Sequence, residues 1–416
     1  MRILMLSQFY STVIGGEERH VAALSQALVA RGHQVAVATL QLDGLAAEED
    51  EGPVPVHRVR SSAQRLPVLF SDPSRPHVPP LPDPHLAWGL RRVARAVRPD
   101  VIHAHNWIVN AALPLRAASP AALVLTLHDY SHVCATKRMM RAGAPCPGPA
   151  LGACLRCAGD HYGRALGPAV ALATRPLRPL RDHFLDGIIA VSRTVAEGNR
   201  LEGARVPHRV IPNFIADELW EEAGSPLSPV PHPALPTEPF LFFAGDLSRD
   251  KGVPALLEAY ARLERRPRLV LAGRRTPDTP ATLPEGAVLL PDCPHKLVME
   301  GFHRCLAALA PSTWPDPCPT VVLEAMASGA PLIASAIGGI RDMVVDGESG
   351  LLVTPGDVDE LAAALRRLLG DPSLRLRLTE GGRARALGFT ASRVVPRIED
   401  AYAAALHSRR LSREGK

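Results

Sequence analysis

The chain has 416 residues, 46% of them hydrophobic, which is material for two separate hydrophobic cores and too much for one ordinary domain. Its formal net charge of +5 is mild for that length, and aromatic residues make up only 4% with no aromatic–basic interleaving, which argues against a nucleic-acid platform. No apolar run approaches the ~18 residues of a membrane span. The opening MRILMLSQFY reads as a short strand and not as a signal peptide, and seven cysteines without a secretory signal point to reduced thiols or metal, so the expectation is a cytoplasmic protein.

In chain order, short β-rich apolar runs alternate with helical patterns. RILMLSQF (2–9) predicts a strand, EERHVAALSQALVARG (17–32) a helix ending in Gly32, and QVAVATL (34–40) the next strand. DVIHAHN (100–106), ALVLTLHD (122–129) and DGIIAVS (186–192) continue the series. Such alternation builds a parallel sheet with helices on both faces. The stretch 61–85 is Pro-rich and irregular, a surface loop with acceptor binding as the alternative. Arg91, Arg92, Arg95 and Arg98 form either a solvated helix face or, as the second reading, a surface for an anionic substrate or lipid headgroup.

Residues 221–239 break the pattern with six prolines and predict a linker. A second series follows: PFLFFAG (239–245), RLVLAG (268–273), AVLLPD (287–292), LAALAPS (306–312) and PLIASA (331–336). Helices are predicted over 357–369, 373–387 and 391–408. Two doubly wound sheets bind ligands at the carboxyl ends of their strands, and two such domains facing each other make a cleft.

Several short strings carry chemistry. Gly15 and Gly16 stand between the first strand and the first helix, where backbone N–H groups can approach an anion or simply form a tight turn; the spacing is not GxGxxG. Lys251 closes GDLSRDKG (245–252) at the mouth of the first strand of the second series, placed to neutralise a leaving diphosphate or to be a solvated turn lysine. The stretch 311–339 is the most specific. Asp316 lies in a loop, and Glu324 lies eight residues on, inside a helix starting near Pro319. Backbone N–H groups of Thr320 and Val321 point out of that helix start, where a phosphate or sugar hydroxyl is held, and Glu324 can accept from a ribose diol. Its neighbours Ala325, Met326, Ala327 and Gly329 are small or apolar, so a charge there needs a partner. Asp357-Val-Asp359 spells a metal-binding DxD, but Asp357 with Glu360 reads as a capping box.

Together these segments resemble the retaining glycosyltransferases of family 4, the glycosyl transferases group 1. The resemblance rests on the Gly-Gly loop, His128-Asp129 after ALVLTL, IPN at 211–213, LSRDKG, the carboxylate-x7-carboxylate block running into EAMASGAPLIAS, and GGIRDMVVDGESGLLV (338–353). It runs from about residue 2 to 390, in order. It implies an α/β fold of the GT-B type, with two Rossmann-like doubly wound parallel-sheet domains facing across a cleft. The expected limits are an acceptor domain at 1–215 with a Cys-rich insertion at about 130–160, a linker at 216–238, a nucleotide-sugar donor domain at 239–390, and a C-terminal helix at 391–416 packing back toward the first domain.

The resemblance also implies roles. Lys251 clamps the donor diphosphate, Glu324 holds the ribose, Asp316 contacts the donor sugar, and Gly15 and Gly16 close over the phosphates. Pro319, Thr320 and Val321 complete the donor site. His128 sits under the reacting sugar, and His105 and Asn106 are acceptor-side candidates. Two positions depart from the family. Asp246 stands where Arg is usual, with Arg249 as the substitute donor-binding cation, and Asp316 replaces the usual Glu. The partners implied are a UDP-, GDP- or ADP-sugar and a carbohydrate or lipid-linked acceptor, with peripheral contact on the inner face of a membrane. No cofactor is implied for catalysis. Cys134, Cys146, Cys154 and Cys157 are expected either to hold a structural zinc or to be unligated thiols. The alternatives to a transferase are a nucleotide-sugar-binding pseudoenzyme, motivated by Asp246, and a dinucleotide oxidoreductase.

Overall fold

Each series of apolar runs closes into its own parallel sheet in the computed structural model of the chain, which describes residues 1–10, 15–66, 77–222 and 232–414. The chain divides into two units: Met1–Pro212 together with the chain from Val395 onward, and Asn213–Val394.

The first unit runs β1 (Arg2–Leu6), α1 (Gly16–Ala30), β2 (Gln34–Leu40), β3 (Glu48–Glu51), β4 (Val54–Val59), α2 (Pro84–Val97), β5 (Val101–His105), α3 (Val109–Ala118) and β6 (Ala122–Leu127). A two-stranded hairpin, β7 (Met140–Arg141) with β8 (Ala144–Pro145), and the helices α4 (Leu151–Tyr162) and α5 (Leu166–Phe184) come next. Then follow β9 (Gly187–Ala190), α6 (Arg193–Gly198) and β10 (His208–Val210). The eight-stranded sheet has the order β10-β9-β6-β5-β1-β2-β4-β3, and only β3 is antiparallel to its neighbour. The central strands β1, β5 and β6 are buried along nearly their whole length because both faces are covered by helices, His103, His105 and Thr126 included. Their order reverses between β1 and β5, and the loops leaving those two strands carry Gly15–Gly16 and Asn106.

The second unit holds α7 (Asp217–Glu222), β11 (Phe240–Ala244), α8 (Val253–Ala261), β12 (Arg268–Ala272), β13 (Ala287–Leu290), α9 (His295–Arg304), β14 (Ala307–Ala310), α10 (Thr320–Ala327) and β15 (Leu332–Ser335). It is completed by α11 (Ile340–Met343), β16 (Leu351–Val353), α12 (Val358–Gly370) and α13 (Pro372–Ala386). Its six strands are all parallel, in the order β13-β12-β11-β14-β15-β16. One face packs Leu241, Leu256, Leu309, Ile333, Leu365 and Leu378 into a single core. Here the reversal lies between β11 and β14, whose following loops carry Lys251 and Asp316.

The last helix, α14 (Ala391–Glu414), begins in the second unit, where the Ala391 N–H donates to the Ile215 carbonyl at 2.9 Å. From Val395 on it packs in the first unit. Tyr402 is fully buried, with its hydroxyl 2.8 Å from His103 Nδ1. Arg31 donates to both carboxylate oxygens of Glu399, at 2.8 and 2.7 Å. Arg409 donates to the carbonyls of Arg116 and Ser119 at the end of α3.

Some elements were not expected from the sequence. β3 is the acidic string EEDE, which has no strand propensity of its own; it pairs at the sheet edge because Arg58, buried in β4, meets Glu49 at 2.9 Å. The irregular stretch 61–85 contains a short 3-10 turn at Ser61, whose hydroxyl donates to Asp83, the residue capping α2; its middle, 67–76, lies outside the described residues. The stretch 216–238 opens with α7, and its part from 223 to 231 likewise lies outside them. Asp357 caps α12 by accepting from the Glu360 N–H at 2.9 Å, while Glu360 accepts from the Thr354 N–H and not from that of Asp357.

Candidate functional site

In the second unit the turn after β11 and the loop after β14 are tied backbone to backbone. The N–H groups of Thr313 and Trp314 both donate to the Asp250 carbonyl, at 2.9 and 3.1 Å. Gly252, with φ 77°, packs so close that an added Cβ would lie 1.8 Å from the Pro311 carbonyl oxygen. This interlock brings Lys251 Nζ into an ion pair with Asp316 Oδ2. Behind Asp316, the Gly339 N–H donates to its carbonyl at 2.8 Å. Gly338, with φ 59°, passes where a Cβ would be 2.3 Å from that same oxygen.

α10 starts four residues later. Its N-cap, Pro319, has no side-chain oxygen, so the first-turn N–H groups of Thr320 and Val321 receive no side-chain cap. Glu324 lies one turn in and is 6% exposed. Its partner is His295 at the start of α9, with Nε2 3.1 Å from Oε1. The sequence signalled that this carboxylate needs a partner, but not which residue supplies it. Cys318 is buried, its carbonyl accepts from Asn213 at 3.0 Å, and burial pushes its thiol up to about 12, so it is an inert neighbour.

Asp246 has a cation partner of its own. Arg274, not Arg249, engages both its oxygens, at 3.2 and 2.9 Å. The Arg249 N–H donates to Asp278 at 2.7 Å.

In the first unit the loops after β1, β5 and β6 meet around one asparagine. Asn106, at φ 53°, donates to Glu17 Oε2 at 2.6 Å and accepts from the His128 N–H at 3.0 Å. His105 Nδ1 lies 2.9 Å from His128 Nε2, and the His20 ring packs edge-on to His128 at 5.0 Å. His103 continues inward to Thr126 and Tyr402. Burial, then the neighbouring imidazoles, hold His105 and His128 well below the usual imidazole range, and burial brings His20 down to about 4. The cluster is therefore neutral at pH 7. His128 Nδ1 and Glu17 Oε1 are enclosed and have no hydrogen-bond partner among the described residues. Burial, then Glu18 and Asp129, push Glu17 up to about 8. Gly15 is the N-cap of α1 and Gly16 its first residue, so both lie beside Glu17; the four residues before them are outside those described. Glu17 and His20 were not singled out in the sequence, because nothing local marks a first-turn Glu or a helical His.

The zinc expectation is not supported. Cys134, Cys146, Cys154 and Cys157 line one small pocket, yet no group of three or more His, Cys, Asp or Glu among the described residues is arranged to hold a metal ion. The sulfurs are instead directed to separate partners: Cys134 to Thr136 Oγ1 at 3.3 Å, Cys146 to the Gly148 carbonyl at 3.5 Å, and Cys157 to the Met140 carbonyl at 3.6 Å.

Comparison with known proteins matches the model for Glycosyltransferase Family 4 over residues 14–219 and that for Glycosyl transferases group 1 over residues 228–385. A glycogen synthase of Mycobacterium tuberculosis is 30% identical over 414 residues, covering 92% of this chain and 90% of that protein. The chain belongs to glycosyltransferase family 4. A D-inositol 3-phosphate glycosyltransferase of Xylanimonas cellulosilytica is 28% identical, covering 74% of this glycosyltransferase and 73% of the relative. Among solved structures, sucrose-phosphate synthase from Thermosynechococcus elongatus has a TM-score of 0.73 at 20% identity, covering 96% of this chain and 98% of that one. Starch synthase IV from Arabidopsis thaliana, bound to ADP and acarbose, has a TM-score of 0.68 at 18% identity, covering 97% and 99%. At such identities the likeness is one of fold: the glycosyltransferase has the GT-B architecture of two Rossmann-like domains. Both family models describe glycosyltransferases, which sets the oxidoreductase reading aside.

Proposed function

We propose that this glycosyltransferase moves a hexose, with retention of configuration, from a nucleoside-diphosphate sugar to a carbohydrate or lipid-linked acceptor in polysaccharide or glycolipid assembly. The observation that carries the donor assignment is the Lys251–Asp316 pair at the point where the strand order of the second unit reverses, beside the uncapped start of α10. A diphosphate there meets one ammonium and two backbone N–H groups, at the positive end of a helix. As the sugar leaves, charge builds on the diphosphate, and Lys251 with Thr320 and Val321 stabilises it. Asp316, kept at the same mouth, accepts from a sugar hydroxyl. Glu324, oriented by His295, accepts from the ribose diol. Arg249 and Pro319 lie on the donor side.

In the first unit, neutral His128 presents Nδ1 to a sugar hydroxyl, with His105 and Asn106 setting its tautomer and position on the acceptor side, and Gly15 and Gly16 admit the phosphates. The departing diphosphate takes the acceptor's proton, so no side chain need act as base. The glycogen synthase relative and the starch synthase neighbour, which is bound to ADP, support a glucan acceptor class and a nucleoside-diphosphate-linked donor. A cytoplasmic setting, with contact at the periphery of a membrane, belongs to the same proposal; no helix among the described residues is long and apolar enough to cross one.

A thermal-shift screen of UDP, GDP, ADP and their sugars tests this reading, followed by transfer to maltooligosaccharides with the best donor. The expected result is stabilisation by one nucleotide family and product of retained configuration. Stabilisation by none of them would overturn it.

A further inference from the structure

One cavity of the first unit, about 580 Å³, is not at the transfer site. It opens at the amino ends of the strands, among Arg2 at the start of β1, Asp100 just before β5, and Ala121 just before β6. Asn106 and His128 stand at the opposite, carboxyl ends of the same sheet. A strand of five residues, about 16 Å long, separates the two ends.

The cavity's wall is cationic. Arg91, Arg95 and Arg98 project from successive turns of one face of α2 and its C-cap, and Arg2 faces them from β1. Asp100 is the one acidic residue of the lining, and it pairs with Arg2 at 3.4 Å. Among the described residues no carboxylate pairs with Arg91, Arg95 or Arg98. Three guanidinium groups thus share one cavity with its single carboxylate engaged by Arg2, an excess of positive charge that an entering anion offsets. Arg98 is held there at φ 49°, the left-handed conformation in which helices usually end on Gly, and it puts a side chain where Gly would leave none. The rest of the lining is largely apolar and includes Leu115 and Leu406.

We infer that this cavity binds a phosphate ester, with the phosphate oxygens on the arginine forks and the ester's body on the apolar lining. Guanidinium forks match phosphate geometry in two-point contacts, and the volume suits a small ligand or a headgroup. Such a group arrives either as a soluble phosphate ester or as the headgroup of a lipid. The second source gains from Trp88, 58% exposed on the same helix with Arg92 stacked 5.0 Å over its ring, a pairing suited to a membrane surface.

The test is independent of the donor-site proposal. Inorganic pyrophosphate is titrated calorimetrically into the full chain, into the double variant Arg91→Gln/Arg95→Gln, and into Lys251→Ala. The double variant is expected to lose one binding event, or to weaken it by about tenfold or more, while Lys251→Ala keeps it. Its arginines are exposed, so its melting temperature and its transfer to a soluble acceptor should match wild type. Sedimentation with phosphatidylglycerol vesicles then identifies the source. Retention of wild type but not of the double variant marks a lipid headgroup, and retention of neither marks a soluble ester. Pyrophosphate isotherms that coincide for wild type and the double variant, or the absence of any event that Lys251→Ala retains, would overturn the inference.

Discussion

Glu17 carries a proton at neutral pH, and this matters for what the first turn of α1 can hold. Two carboxylates there would favour the helix but repel a diphosphate. With Glu17 neutral, only Glu18 opposes the anion. The protonation has a signature in stability. The folded carboxyl titrates near 8 and the unfolded one near 4.5, so the folded state binds more protons between those values. The stabilising contribution is complete below about 4.5 and is lost as pH rises through about 8. Glu17→Gln should therefore flatten the loss of stability between about pH 6 and pH 8.5, by at least about 1 kcal/mol relative to wild type in denaturant titrations. Identical slopes for the two proteins would show that Glu17 is ionised in the fold. Lys251 makes the complementary case in the second unit. Lys251→Ala should cut kcat/KM by about 2–4 kcal/mol of transition-state stabilisation with the melting temperature close to wild type, because its ammonium is partly exposed and its turn is held through the Asp250 carbonyl by Thr313 and Trp314. Unchanged turnover would remove Lys251 from the donor site.

At the scale of elements, the donor site depends on the close passage of the loop after β15 behind Asp316. Gly338→Ala adds both left-handed strain and a collision with a backbone oxygen that cannot rotate away. Gly347→Ala supplies the strain alone, at φ 75° with open space around the added carbon. The first should cost about 2–3 kcal/mol and weaken nucleotide binding; the second should cost about 1 kcal/mol and leave binding as it is. Equal losses would mean that the loop contact does not position Asp316. Elements of this kind differ in how far the sequence announces them. The central strands were legible because an apolar run with helices on both sides has one sensible place, the middle of a parallel sheet. β3 was not, since EEDE lacks strand propensity and its ladder with β4 is supported by the charge of Arg58 on the neighbouring strand. Lys251, Asp316 and Glu324 were singled out by their spacing in a known pattern, and the fold brings the first two into an ion pair. His295 and Glu17 were not, because their roles come from partners 29 and 89 residues away that only the fold brings near.

For the whole molecule, α14 is the element that closes the first unit. Its Tyr402 hydroxyl meets His103, which burial holds near 3 and therefore neutral. Tyr402→Phe keeps the ring packing and removes that partner in a dry interior, so the first unit should lose about 1–3 kcal/mol. The second unit does not contain Tyr402, and its own transition should not move. Calorimetry with limited proteolysis, which reports each unit separately, checks this; a uniform drop in both transitions would show that the two unfold as one.

That closure has a consequence for biosynthesis. The helix segment that seals the first unit follows the whole of Asn213–Val394 in the chain, so the ribosome delivers the last piece of the first core only after roughly 180 further residues. At bacterial-like elongation rates of about 5–20 residues per second, that is a wait of roughly 10–40 seconds. During it, His103 and the α3 carbonyls that Arg409 later covers stay open to other partners. The first unit is begun first and finished last, and the nascent chain must be kept from aggregation for as long as the second unit takes to emerge.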